Sequence, residues 1–178
     1  LNNKKIETDI HSRLYSKSET LAPFNGYFTI LEKRTLLHEA ICGGHVDIVQ
    51  MLLSAKTVNI DDSLIYEKDY IDSISSARTH IKEEDHKTTF VLAAESGYCD
   101  IMQFLITQRK DYINQKSFGV QEISGGCISF SITIRRSEKT PLHAAIQKAN
   151  YNIVKIFLDQ PEIDISIPFV ILELDEYD

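Results

Sequence analysis

The residues best suited by type and spacing to do chemistry are His38, Cys42 and His45, which fall within eight positions of one another. An imidazole beside a thiol can act as a base–nucleophile pair, and two histidines with a cysteine are soft donors for zinc. The spacing argues against both. Gly43-Gly44 ends any helix that carries His38 and Cys42 on one side, so His45 leaves that side. A catalytic or metal centre needs several convergent groups. Cys127 offers a second candidate, a nucleophile that His80 or His86 would have to meet in space, since no histidine lies near it in sequence. Gly125-Gly126 could suggest phosphate binding, but no Gly-Lys-Ser/Thr follows and no helix opens after it, so turn glycines explain the pair. Carboxylates are plentiful without a pairing fit for acid–base work. No catalytic residue, metal ligand or cofactor is assigned.

The elements that would position any site are two-helix units. Thr140 to Leu158 reads TPLHAAIQKANYNIVKIFL: a short apolar segment opened by Pro141, a break at Lys148-Ala149-Asn150, then Ile153, Val154, Ile156, Phe157 and Leu158 on a broad helical face. Helices this short cannot each bury a face alone, so the unit must stack on neighbours. Thr35–Leu53 (TLLHEAICGGHVDIVQMLL) and Thr88–Ile106 (TTFVLAAESGYCDIMQFLI) supply them. Aligned on the leading threonine, the copies share Ala40, Ala93 and Ala145, then Ile48, Ile101 and Ile153. Gly44 and Gly97 end the first helix where a left-handed residue is wanted, and Ala149 departs from that pattern.

These three segments resemble the ankyrin-repeat family. Thr140-Pro141-Leu142-His143-Ala144-Ala145 matches its T-P-L-H-x-A hallmark fully, Thr35-Leu36-Leu37-His38-Glu39-Ala40 lacks only the proline, and the middle copy lacks both Pro and His. The resemblance covers the helix pairs, about a third of the chain. It implies a mainly α, α-solenoid fold in which His38 and His143 bond neighbouring backbone and tie one repeat to the next. Thr35, Thr88 and Thr140 stand 53 and 52 residues apart (88 − 35 and 140 − 88), against roughly 33 for the family. Each junction therefore carries an insertion, and in this family the junction is a β-hairpin finger beside the concave groove.

One domain is expected over 1–178: an N-terminal cap or remnant repeat (1–29), repeat 1 (30–54), an insertion (55–82), repeat 2 (83–109), a hairpin insertion (110–134), repeat 3 (135–160), and a cap or the start of a further repeat (161–178). Ile6, Ile10 and Leu14 recur at fours, which predicts a short amphipathic helix, and Pro23 to Gly26 a loop before the arm at Tyr27–Leu31. In the first insertion Asp61-Asp62-Ser63 offers N-cap chemistry, and Tyr66, Tyr70, Ile74, Ala77 and Ile81 recur at threes and fours, which predicts an extra helix. Lys82-Glu83-Glu84-Asp85 reads as a solvated charge run. In the second insertion Ile128, Phe130, Ile132 and Ile134 alternate with polar residues, and a two-residue turn at Gly125-Gly126 would set Ile123 opposite Ile128 and Gln121 opposite Phe130. The Ile/Phe face of that hairpin is expected to be covered by the helix stack.

The 43% hydrophobic and 25% charged fractions suit a folded domain. The net charge of −7 argues against a nucleic-acid surface. No run approaches a membrane span and no signal-peptide pattern opens the chain. Three cysteines without paired spacing favour a reducing, cytoplasmic setting. Leu1 in place of Met suggests a piece of something longer. The resemblance implies recognition of a protein partner through the groove and finger loops. It places Arg34, Lys87 and Lys139, the residues before the leading threonines, as a basic ladder at the finger bases. It places Cys42-Gly43, Glu95-Ser96 and Gln147-Lys148, before the turn, as further contact positions. Tyr66, Tyr70 and Phe118 are secondary contact candidates. An alternative is the recruiting fragment of a larger enzyme, or of a bacterial effector that works in the host cytoplasm.

Overall fold

The structure is a computed structural model that describes residues 14–21, 27–55, 58–71, 79–125 and 131–177. It consists of three hairpin-plus-helix-pair units. The first has strands β1 (Leu14–Leu21) and β2 (Tyr27–Arg34) and helices α1 (Leu36–Cys42) and α2 (Val46–Ser54). The second has β3 (Leu64–Ile71), β4 (His80–Lys87), α3 (Thr89–Ser96) and α4 (Cys99–Gln108). The third has β5 (Ser117–Gly125), β6 (Ser131–Lys139), α5 (Pro141–Gln147) and α6 (Tyr151–Leu158), and a last strand, β7 (Val170–Tyr177), follows.

Each first helix starts where its threonine stops being extended. The hydroxyls of Thr35, Thr88 and Thr140 accept the N–H three residues on, and His38 and His143 complete capping boxes by accepting the N–H of Thr35 and Thr140. Gly44 (φ +72°) and Gly97 (φ +83°) make the left-handed turn between paired helices, and Ala149 takes it at φ +55° despite its Cβ. The helices stack in order around Leu37, Ile41, Phe90, Met102, Leu105, Ile153 and Phe157, all fully buried. Full burial of a phenylalanine such as Phe90 is worth about 2–3 kcal/mol.

The mainly α expectation is corrected here. The three hairpins and β7 join into one seven-stranded antiparallel sheet, ordered β1 to β7 as in the chain. More described residues lie in strands than in α-helices. The fold is a helix-pair stack carrying a continuous sheet. The inserted residues lengthen each finger until its edges reach the neighbouring fingers, and backbone groups that a lone finger would leave to water are paired across repeats.

The extra helix is also corrected. Tyr66 and Tyr70 lie in β3 and Ile81 in β4, while Ile74 and Ala77 fall outside the described residues. Asp61-Asp62-Ser63 opens no helix, and the charge run Lys82–Asp85 is strand with its side chains divided between the two faces. The β5–β6 hairpin forms, but Ile123 pairs with Thr133 and Gln121 with Arg135. The connection is longer than two residues, and an odd slip exchanges the faces. Ile128 and Phe130 lie outside the described residues. Ile132 and Ile134 are half-buried among strands, not under helices, because helices meet the sheet mainly where β2, β4 and β6 run into α1, α3 and α5. Leu14 is in β1; Ile6, Ile10 and the 23–26 loop fall outside the described residues.

Candidate functional site

Arg34, Lys87 and Lys139 end β2, β4 and β6, and the register puts Lys87 beside Leu64 and Lys139 beside Ser117 in one row at the base of the sheet. The sheet face bearing this row turns toward the first helices, with which it shares a groove lined by Arg34, Tyr66 and Lys87 from the strands and Cys42 and Leu92 from the helices. The ladder exists, and its charges are already taken. Lys87 and Lys139 donate to the two oxygens of Glu95, each at 2.7 Å, and the Glu95 side chain is only 11% exposed. Arg34 reaches Glu32 at 2.6 Å and Glu39 at 3.2 Å. Burial alone would raise the Glu95 carboxyl, but the two ammonium groups outweigh it and hold it below the usual carboxylate range. Burial likewise opposes the charge on Lys87, and Glu95 first, with Asp85 beside it, more than restores it.

The other expected contact residues divide. Ser96 turns its hydroxyl back onto the Leu92 carbonyl at 2.9 Å. Gln147 and Lys148 are exposed at the end of α5. Cys42 is half-buried, and burial pushes its thiol up, the reverse of what a nucleophile needs. His38 is buried: its Nδ1 accepts the Thr35 N–H at 3.0 Å and its Nε2 lies 2.9 Å from the Asp62 carbonyl. The ring therefore ties repeat 1 to the turn before the next finger, and His45 stands apart from it as the N-cap of α2. Phe118 is exposed and stacks on His86 at 4.4 Å on the opposite sheet face. Cys127 falls outside the described residues.

Beyond the ladder, the next row on the groove face runs Glu32, Tyr66, Asp85, Gly119, Ser137 and Ile171. The row after it runs Ile30, Lys68, Glu83, Gln121, Arg135 and Glu173, cross-linked by Gln121–Glu83 (2.6 Å) and Arg135–Glu173 (2.9 Å). Gly119 has no side chain to fill its place in the first of these rows. A cleft of about 350 Å³ opens there, walled by Tyr66, Asp85, Ser137, Arg135 and Ile171. Of these the sequence reading singled out only Tyr66. The signal was present: Glu32, Asp85 and Ser137 each stand three places before a leading threonine, so the same alignment that found the helices also aligns this row.

The middle repeat, which lacks the histidine, satisfies its backbone in another way. The Thr88 N–H donates to the buried Ser117 hydroxyl at 2.8 Å, and Thr89 Oγ1 donates to the Ile60 carbonyl at 2.7 Å. Asn150 binds the repeats from the other side, donating to the Ala94 carbonyl at 2.7 Å.

A family model described as ankyrin repeats, in three copies, matches residues 14–118 and, in a second overlapping placement, 66–168. No curated protein and no solved structure matches the chain.

Proposed function

This chain belongs to the ankyrin-repeat family, whose repeats are generally protein–protein interaction modules, and from that premise we propose that it holds a partner protein on the groove face of its joined fingers. The observation that carries the proposal is the sheet itself. Seven strands locked edge to edge present the groove-face rows as one pre-formed surface that loses little conformational freedom on binding. That surface is indented over Gly119 and ends in Ile171, which is 60% exposed. The function is recognition, with no chemistry of its own. Arg34, Lys87 and Lys139 hold finger to helix through Glu39 and Glu95, so partner contact shifts outward along the fingers, with exposed Gln147 and Lys148 bordering it.

Adjacent residues on β7 test this reading. Ile171 and Leu172 are both exposed but lie on opposite faces of the sheet. Ile171→Arg should abolish capture of the partner from lysate, and Leu172→Arg should leave it. Equal effects, or the reverse, would contradict the assignment of the groove face.

A further inference from the structure

Resting on that reading, we propose that the cleft over Gly119 seats a basic side chain, lysine or arginine, from an extended segment of the partner. A Cβ on Gly119 would stand 3.1 Å from Ser137 Oγ and 3.5 Å from Asp85 Oδ1, so a carboxylate and a hydroxyl flank the floor that the missing side chain exposes.

Asp85 differs from its neighbours on this face in what it binds. Glu32, Glu83, Glu95, Glu173 and Asp175 each have a donor within 2.9 Å. Asp85 has only the Lys87 ammonium at 3.7 Å, and that ammonium sits 2.7 Å from Glu95. The carboxylate is about a third exposed and keeps lone pairs for a further donor. Tyr66, half-buried on the adjoining strand, supplies an aromatic wall along which an aliphatic stem can lie and near which a cation is favoured.

Arg135 and Lys139 also line the cleft, but each is matched at short range, Arg135 by Glu173 and Lys139 by Glu95. On the groove face the described strands carry five carboxylates (Glu32, Glu83, Asp85, Glu173 and Asp175) and five cations (Arg34, Lys68, Lys87, Arg135 and Lys139), and the helix acids Glu39 and Glu95 pair with Arg34, Lys87 and Lys139. An incoming guanidinium or ammonium therefore meets a carboxylate held by one ion pair at 3.7 Å, whereas an incoming anion would meet Arg135 and Lys139 already paired at 2.9 and 2.7 Å.

The test is an NMR titration of the whole isotope-labelled chain with N-acetyl-arginine amide, its norleucine counterpart and inorganic phosphate as separate probes. The arginine probe should shift the amides of Asp85, Gly119 and Ser137 saturably. It should bind roughly tenfold or more tightly than norleucine, the scale of a hydrogen bond to a charged group. Asp85→Asn should remove that preference. Gly119→Ala, which keeps every charge, should weaken the arginine probe while leaving shifts elsewhere unchanged. Equal binding of norleucine, an unaltered preference in Asp85→Asn, stronger shifts from phosphate, or no shift at all would each overturn the proposal. The Ile171/Leu172 comparison judges the groove separately, so either reading can fail while the other stands.

Discussion

Lys139, the last residue of β6, donates at 2.7 Å to Glu95, a carboxylate on the inner helix of the preceding repeat. Lys87 holds the other oxygen of that carboxylate at the same distance. One acid thus anchors two fingers to one helix, and two of the three cations that the sequence offers for partner contact are held in that joint.

Replacement of that acid has a defined cost. Glu95→Gln leaves two half-buried lysines facing an amide, between an exposed pair and a buried one in severity, so a loss on the order of 1–3 kcal/mol is expected in urea unfolding. A loss below the error of the measurement would remove Glu95 from this role. The pH dependence follows in sign. The folded carboxyl titrates below its unfolded value of about 4.3, so its contribution is complete above that value and disappears as pH falls through the lower, folded one. Acidification should therefore close the gap in stability between wild type and Glu95→Gln.

Ser117 stands in for the histidine that the middle repeat lacks. With Ser117→Ala the Thr88 N–H loses its acceptor at the mouth of α3, and a loss of about 1–3 kcal/mol is expected. Hydrogen exchange at the start of α3 should rise with it. Unchanged protection of the Thr88 amide would show that another acceptor serves it.

Ala149 occupies a left-handed turn that the other repeats give to glycine. Ala149→Gly should raise stability by up to about 1 kcal/mol, since the strain of a Cβ at positive φ is removed. Gly44→Ala should do the opposite and by more, because the new Cβ would fall 2.5 Å from the Tyr98 ring as well as at positive φ. Thermal melts of both variants check the pair, and a stabilised Gly44→Ala would contradict it.

What was legible in the sequence was what is local. Thr35, His38, Thr140 and His143 act within one turn of helix, so their types and spacing suffice to place the caps, whereas the tie from His38 to the Asp62 carbonyl spans 24 residues and came with the family resemblance. The paired fingers were not legible in that way. Tyr66, Tyr70 and Ile81 fit a helical period when read along the chain, and their real partners are Asp85, Ile81 and Ile123, which other strands bring to them. The ladder was placed correctly, but its neutralisation was hidden because Glu95 lies 44 residues from Lys139. The cleft depends on a residue whose contribution is an absence, Gly119, and only the cross-strand register gives that absence a location.

The most direct test of the central claim uses Arg135 and Arg136, neighbours on β6 that are both exposed and lie on opposite faces. A photoreactive benzophenone amino acid is placed at one position or the other in the whole chain, and cross-links to partner protein are read in cells. Partner recognition on the groove face predicts cross-links from position 135 and none from position 136. Cross-links from 136 alone, or equally from both, would contradict it.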